Sequence, residues 1–361
     1  MRLRCALSLF AASWLVIAPV TAAQFCAHDE NQLRQALRDA VSNGEDDDIR
    51  LSAGTFFTGG QKFSAIDAEP FSLRISGGWS DSSPSAPCDT QEPRADLTIL
   101  DGQNTTAVLD FEGQASSNAN GTVRSLSNLT LRNGASSANG ESAALAMFAS
   151  IGQSIELKNT IIIGHHQSHP PPTSVFSNVV TLDAYDGDIS VINNVMGNLT
   201  SVYANLGIFT SLASQTVYLN NNTFSLGGGG FNALLVSNTG TAFRFTNNAI
   251  VGTLSVNSIS AADPIRLWTF NNLGEWGVDP VNGGVSVQAD IGNDGGIDPG
   301  FTGPTDFRPA AGSPLPNRGL NSPFGGSSAY DLDGNLRVDL GIIDVGAWES
   351  THERIFANGF D

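Results

Sequence analysis

Apolar residues in this chain fall mainly in short runs separated by Gly, Asp, Ser and Pro. "DIRLSAGTF", "FSLRISGGW", "ADLTILDGQ" and "AVLDF" each read as a strand between turns. From residue 122 the runs resemble one another. "LSNLTLRNG", "LKNTIIIGH", "VINNVMGN", "LNNNTFSLG", "FTNNAIVG" and "TFNNLGEW" each set an asparagine before or inside an apolar run. The markers Asn128, Asn159, Asn194, Asn222, Asn248 and Asn272 are spaced by 31, 35, 28, 26 and 24 residues. An imperfect period in this range predicts stacked units that bury their apolar faces only against neighbours.

Helical spacing appears once, in "AHDENQLRQALRDAVSNGEDDD". Leu33, Leu37, Ala40 and Val41 share a face, Asp29 and Glu30 precede it, and Gly44 can end the helix in a left-handed conformation. This helix, over about 31–43, is suited to cover the open first unit of a solenoid. The later runs lack recurrent leucines and amphipathic helices, which leucine-rich and helical repeats need. Short strands, Gly- and Asn-rich turns and stackable asparagines instead predict an all-β fold, a single-stranded right-handed parallel β-helix.

Three stretches carry a resemblance. They are "LRQALRDAVSNGEDDDIRLSAGTF" with "LRISGGW" and "LTILDG", then "DPGFTGPTDFRPAAGSPLPNRG", and finally "DLDGNLRVDLGIIDVGAWE". With the asparagine-marked runs, they make the chain resemble secreted bacterial β-helix proteins of the pectate-lyase-like superfamily that end in a choice-of-anchor Q domain. The resemblance implies fold and location more firmly than chemistry, because members of this group are mostly of undefined activity.

The expected organisation is a signal peptide over 1–23, an N-terminal cap with the first coils over 24–100, and coils over 101–310. A C-terminal closing segment follows over 311–349, with Ile342, Val345 and Trp348 expected over the last coil. A tail over 350–361 reads either as a sorting address or as a frayed end. The leader rests on Arg2 and Arg4, an apolar run and small residues up to Ala23, so an exported protein is expected, secreted or at the outer cell surface. No later stretch is apolar for the roughly 18 residues of a membrane helix. A separate small domain at 24–100 is the alternative to a cap.

Charge narrows the partners. The chain has 17 basic and 35 acidic residues; without the two leader arginines the balance is 15 against 35, or −20. Nucleic acid is therefore excluded as an expected partner, and a monomer that meets extracellular polysaccharide or cell-surface glycan is expected. Outside the leader Cys26 and Cys88 remain, a candidate disulfide in an oxidising compartment, with two free thiols as the alternative.

The candidate chemistry is sparse, and no cofactor is expected. "GHHQSHPPPTS" gathers His165, His166 and His169, but the prolines forbid a helix that would align them for zinc, so a projecting loop is expected. In "TLDAYDGDISV", Asp183, Asp186 and Asp188, with Tyr185 among them, are the internal candidates for an acid and nucleophile pair; the same residues also suit a turn. A lyase needs positive charge against uronates. The chain has only Lys62 and Lys158 as lysines and no arginine between Arg132 and Arg244. Tyr203, Tyr218, Phe224, Trp268 and Trp276 are candidate sugar-stacking aromatics that equally suit a core. "DLDGN" spaces Asp331, Asp333 and Asn335 like a calcium loop, but its glycine is misplaced and Ile342 stands where the closing glutamate belongs, so turns are expected, with Arg337 pairing Asp331, Asp339 or Asp344. The expected function is a non-enzymatic adhesin-like, scaffold or glycan-binding module; the alternative is a polysaccharide hydrolase or lyase with a groove along the coils.

Overall fold

A computed structural model describes residues 22–114, 119–138, 140–168, 178–201, 204–212, 214–225, 231–237, 240–258, 264–282, 285–338 and 341–350. Their strands stack into three parallel ladders, an all-β solenoid. The first ladder runs from Ala23–Ala27 through Asp47–Ser52, Leu73–Ser80 and the opening halves of Val123–Arg132 and Ser154–Ile163. It continues through Ile189–Ile192, Thr216–Asn220, Ala242–Thr246 and Ile265–Phe270 to Val285–Ile291.

The second ladder takes in Gly54–Phe57, Thr98–Asp101, the closing halves of the two long strands, Val195–Gly197, Thr223–Ser225 and the openings of Ala249–Ser258 and Leu273–Asn282. The third stacks Phe63–Asp67, Leu109–Gly113, Leu145–Ala149, Asn178–Ala184, Ala204–Thr210 and Phe231–Ser237.

Asparagines turn the chain from the first ladder to the second. Asn128, Asn159, Asn193, Asn221, Asn247 and Asn271 have φ of 55, 52, 60, 55, 58 and 51°, a left-handed conformation that asparagine tolerates because its short amide bonds locally. The following residues form an internal column. Asn194 donates from Nδ2 to Asn222 Oδ1 (3.1 Å), Asn222 to Asn248 (3.0 Å), Asn248 to Asn272 (2.8 Å) and Asn272 to Asn293 (2.9 Å). The sequence markers therefore mix two roles: Asn128 and Asn159 are corners, whereas Asn194, Asn222, Asn248 and Asn272 lie inside.

Inward residues repeat at the same register. In the second ladder Phe56, Leu100, Leu131, Ile162, Met196, Phe224 and Ile250 stack one above another, all of them buried. Burying a large apolar side chain stabilises by about 1.5–3 kcal/mol, so this column is a main source of cohesion.

The helix α1, Glu30–Ala40, lies at the amino-terminal end as the pattern predicts. Asp29 Oδ1 accepts from the amides of Asn31 and Gln32 (both 2.9 Å), and Leu33, Ala36, Leu37 and Ala40 bury against the core. Gly44 takes the expected positive φ, 80°. Cys26 and Cys88 form a disulfide that ties the first strand to the excursion after Leu73–Ser80, a link typically worth about 2–4 kcal/mol.

The carboxyl-terminal segment closes the flank of the solenoid instead of its end. Asn247 Nδ2 donates to Leu320 O (2.9 Å), Asn220 Nδ2 to Phe324 O (2.6 Å) and Asn193 Nδ2 to Tyr330 O (3.1 Å), while Ala95 N donates to Leu332 O (3.4 Å). The segment thus runs back along the asparagine corners towards the first coils. Val345 and Leu315 pack on Ala249 and Leu273, and Trp348 and Phe307 on Val195. Ile342 is exposed. Val345 and Trp348 therefore cover the outward face of the second ladder. The last strand, Val285–Ile291, keeps Val287 and Ile291 exposed.

Candidate functional site

Strand alternation sends Leu109, Phe111, Leu145, Met147, Val180, Leu182, Leu206 and Ile208 of the third ladder inward. Two outward rows remain. The first row, Ser64, Asp110, Ala146, Thr181 and Gly207, is buried from Asp110 to Gly207. The second row is Ile66, Glu112, Phe148, Asp183 and Phe209.

A ledge packs over the first row. It is a small parallel sheet of Ala135–Ser136, His166–Gln167 and Thr200–Ser201. Lys62 Nζ joins it to the row, 2.5 Å from Asp110 and 2.8 Å from Glu141. Ser136 Oγ donates to Glu141 (2.6 Å), Gln167 Nε2 to Glu141 O (2.7 Å) and Ser142 Oγ to Thr181 Oγ1 (2.7 Å). Burial pushes the Asp110 carboxyl up. Burial also opposes the charge on Lys62, but Asp110 and Glu141 outweigh it and hold the ammonium above its usual range.

His165 locks the ledge to the second ladder. Its Nδ1 accepts from Gly134 N (2.9 Å), so Nε2 carries the proton and donates to Leu131 O (3.0 Å). Complete burial drives its pKa down to about 4. His165 is therefore a neutral structural pin, while His166 is exposed and His169 lies outside the described residues.

The three aspartates of "TLDAYDGDISV" separate. Asp186 accepts from Gly152 N, and Asp188 Oδ1 accepts from Thr216 N (2.7 Å), so both set turns between coils. Asp183 alone stands on the outward row, between Phe148 and Phe209 on the neighbouring strands. Burial raises its pKa to about 6. Among the described residues its carboxylate has no hydrogen-bond or ion-pair partner, and exposed Tyr185 follows two residues on.

Three of the aromatics expected to stack on sugars are used elsewhere. Phe224 is core, Tyr218 lies under Gly325 of the returning segment, and Trp268 supports the Arg244 guanidinium (4.8 Å), which also lies over Phe324 (4.5 Å). Tyr203 and the Trp276 side chain lie outside the described residues. The residues that do flank the free carboxylate, Phe148 and Phe209, are legible only when coils are aligned: Phe148, Asp183 and Phe209 precede the corner asparagines Asn159, Asn193 and Asn221 by 11, 10 and 12 residues.

The other sequence candidates have structural roles. Both oxygens of Asp331 accept from amides, Oδ1 from Asp333 and Asn335 and Oδ2 from Glu349 and the Asn335 side chain. Of the partners expected for Arg337, Asp339 lies outside the described residues. Among those described, the guanidinium lies 3.1 Å from Glu349 and donates to the carbonyls of Asp344 and Gly346, with no ion pair to Asp331 or Asp344. Lys158 pairs with Glu156 at 3.0 Å. A cavity of about 260 Å³ remains between the second ladder and the returning segment, with Ile161 and Ile163 among the sheet residues beneath Phe307 and Trp348. Among the described residues no helix is long and apolar enough to cross a membrane. Searches of protein-family models, curated proteins and solved structures found no match to this chain.

Proposed function

We propose that the protein is an exported, non-enzymatic module, secreted or held at the outer cell surface, that binds neutral polysaccharide along the third ladder. The observation that carries this reading is Asp183, an unpartnered carboxylate set between two phenylalanines on one outward row. A carboxylate accepts paired hydrogen bonds from sugar hydroxyls. The half-buried Phe148 ring can cover the apolar face of a pyranose, while Phe209 is buried over Gly207 and walls the other side of Asp183. Successive strands about 4.8 Å apart each add one side chain to the row along the axis, a spacing close to the length of one sugar unit. Export follows from the leader-like first 23 residues. The carboxyl-terminal stretch resembling a choice-of-anchor Q domain supports a place at the cell surface and a pectate-lyase-like ancestry.

The scarcity of free positive charge on the central coils opposes a uronate ligand, since Lys62 and Lys158 are both paired. A hydrolase would need a second carboxylate on the row. Glu112 is two strands from Asp183, roughly 9–10 Å by strand spacing, which reaches only the widest separation used by inverting glycosidases. The test is a panel of neutral and uronate polysaccharides assayed for binding and for products. Retention by neutral polymers without new reducing ends or unsaturated uronates is expected; released products would replace this reading with the enzymatic one.

A further inference from the structure

The disulfide lies within a set of donors that it does not need. Cys26 leaves the first strand, His28 follows just before α1, and Asp81 and Cys88 come from the excursion after Leu73–Ser80. His28 Nε2 is 3.3 Å from Cys26 Sγ and 3.7 Å from Asp81 Oδ2. All four donor atoms lie within 4.8 Å of one another. A tetrahedral zinc shell, with bonds of about 2.0–2.3 Å, spaces its ligands roughly 3.3–3.8 Å apart. Opening the sulfur–sulfur bond would bring this set to that spacing with small side-chain movements.

The surroundings hold the donors in place. Cys88 N donates to Asp81 Oδ1 (2.8 Å), which turns Oδ2 towards His28, the kind of outer contact that orients a metal-binding carboxylate. Arg50 Nη1 donates to Cys88 O (3.0 Å) while its guanidinium pairs with Asp48 and stacks on Trp79. The loop carrying Cys88 is thus fixed from the first ladder without the disulfide.

We propose that the reduced form of Cys26 and Cys88, with His28 and Asp81, is a site for Zn²⁺ or a similar thiophilic divalent cation. A dithiol reductant passes two electrons and two protons to the Cys26–Cys88 bond and leaves as its own disulfide; the metal then displaces the two thiol protons to solvent. The amino-terminal strand and α1 stay tethered to the excursion in either state, by sulfur–sulfur bond or by metal. Two cysteines, a histidine and a carboxylate suit zinc over harder cations.

The test is titration of the full chain with Co²⁺ and Zn²⁺, before and after reduction by a phosphine. Expected are one equivalent bound only after reduction, a thiolate-to-cobalt absorption band, and affinity lowered about tenfold or more in His28→Ala and Asp81→Ala. Both positions are partly exposed, and circular dichroism of the oxidised variants checks that they fold. Zn²⁺ should raise the melting temperature of the reduced protein and leave that of the oxidised protein unchanged. Absence of the thiolate band, unchanged affinity in both variants, or a reduced chain that Zn²⁺ neither binds nor stabilises would each overturn the proposal.

Discussion

His165 and Asp183 respond to acid in opposite senses. The folded pKa of His165, about 4, lies below its usual 6.5, so the unfolded chain binds the proton more tightly. Its contribution is complete above pH 6.5 and is lost as pH falls towards 4, up to about 3 kcal/mol. Urea denaturation of His165→Gln should accordingly show a flatter stability profile between pH 4 and 6.5 than the parent. For Asp183 the folded value, about 6, lies above the usual 3.8, so its contribution is complete below pH 3.8 and is lost as pH rises through 6. Asp183→Asn should gain on the order of 2 kcal/mol at pH 7 and little at pH 3.5; equal stability at both pH values would show that the carboxylate is solvated. A residue that destabilises the free protein fits a ligand-facing role, since binding sites are often kept at a cost in stability. The sequence displayed all three aspartates alike. Which one belongs to a strand and which two to a turn depends on register between coils, and that information lies in residues about thirty positions away.

Elements follow the same division between what is local and what is not. The capping helix, the strands and the period were readable because each rests on spacing within a short window: Leu33 and Leu37 one turn apart, or an asparagine beside an apolar run. The split of the asparagines into corners and an inner column was not, because both precede similar residues. Asn222 sits in that column, where its amide donates to Val191 O (2.8 Å) and Asn248 Oδ1 (3.0 Å) and its oxygen accepts from Asn194 N (3.0 Å) and Nδ2 (3.1 Å). Asn222→Leu should cost about 3 kcal/mol or more in equilibrium unfolding, because several buried partners lose their bonds at once. The path of the carboxyl-terminal segment was also hidden, since an apolar run such as "IIDVGAW", which reads as a strand but forms bends, serves an end or a flank equally. Gly197 marks the flank: the Phe307 ring occupies the space that a Cβ would take. Gly197→Val should displace Phe307 and raise hydrogen exchange across residues 301–350, while the inner asparagine column stays protected.

At the scale of the molecule, the central coils combine a stiff core with a surface poor in free positive charge. On the proposed reading such a body offers little to nucleic acid or uronates and turns the Asp183 row towards an extended neutral ligand. Its rigidity matters to binding, since a row held by parallel ladders and a pinned ledge loses little conformational freedom when a chain lies on it. The composition of the sequence set these limits on partners, but the row itself appeared only when the coils were stacked. The most direct measurement is affinity electrophoresis of the intact protein, Asp183→Ala and Phe148→Ala in gels containing the neutral polysaccharide that the parent binds best. The parent should be retarded, and each variant, folded by circular dichroism, should bind about tenfold more weakly, a loss of about 1.4 kcal/mol. Equal retardation of all three would contradict a ligand site on the Asp183 row.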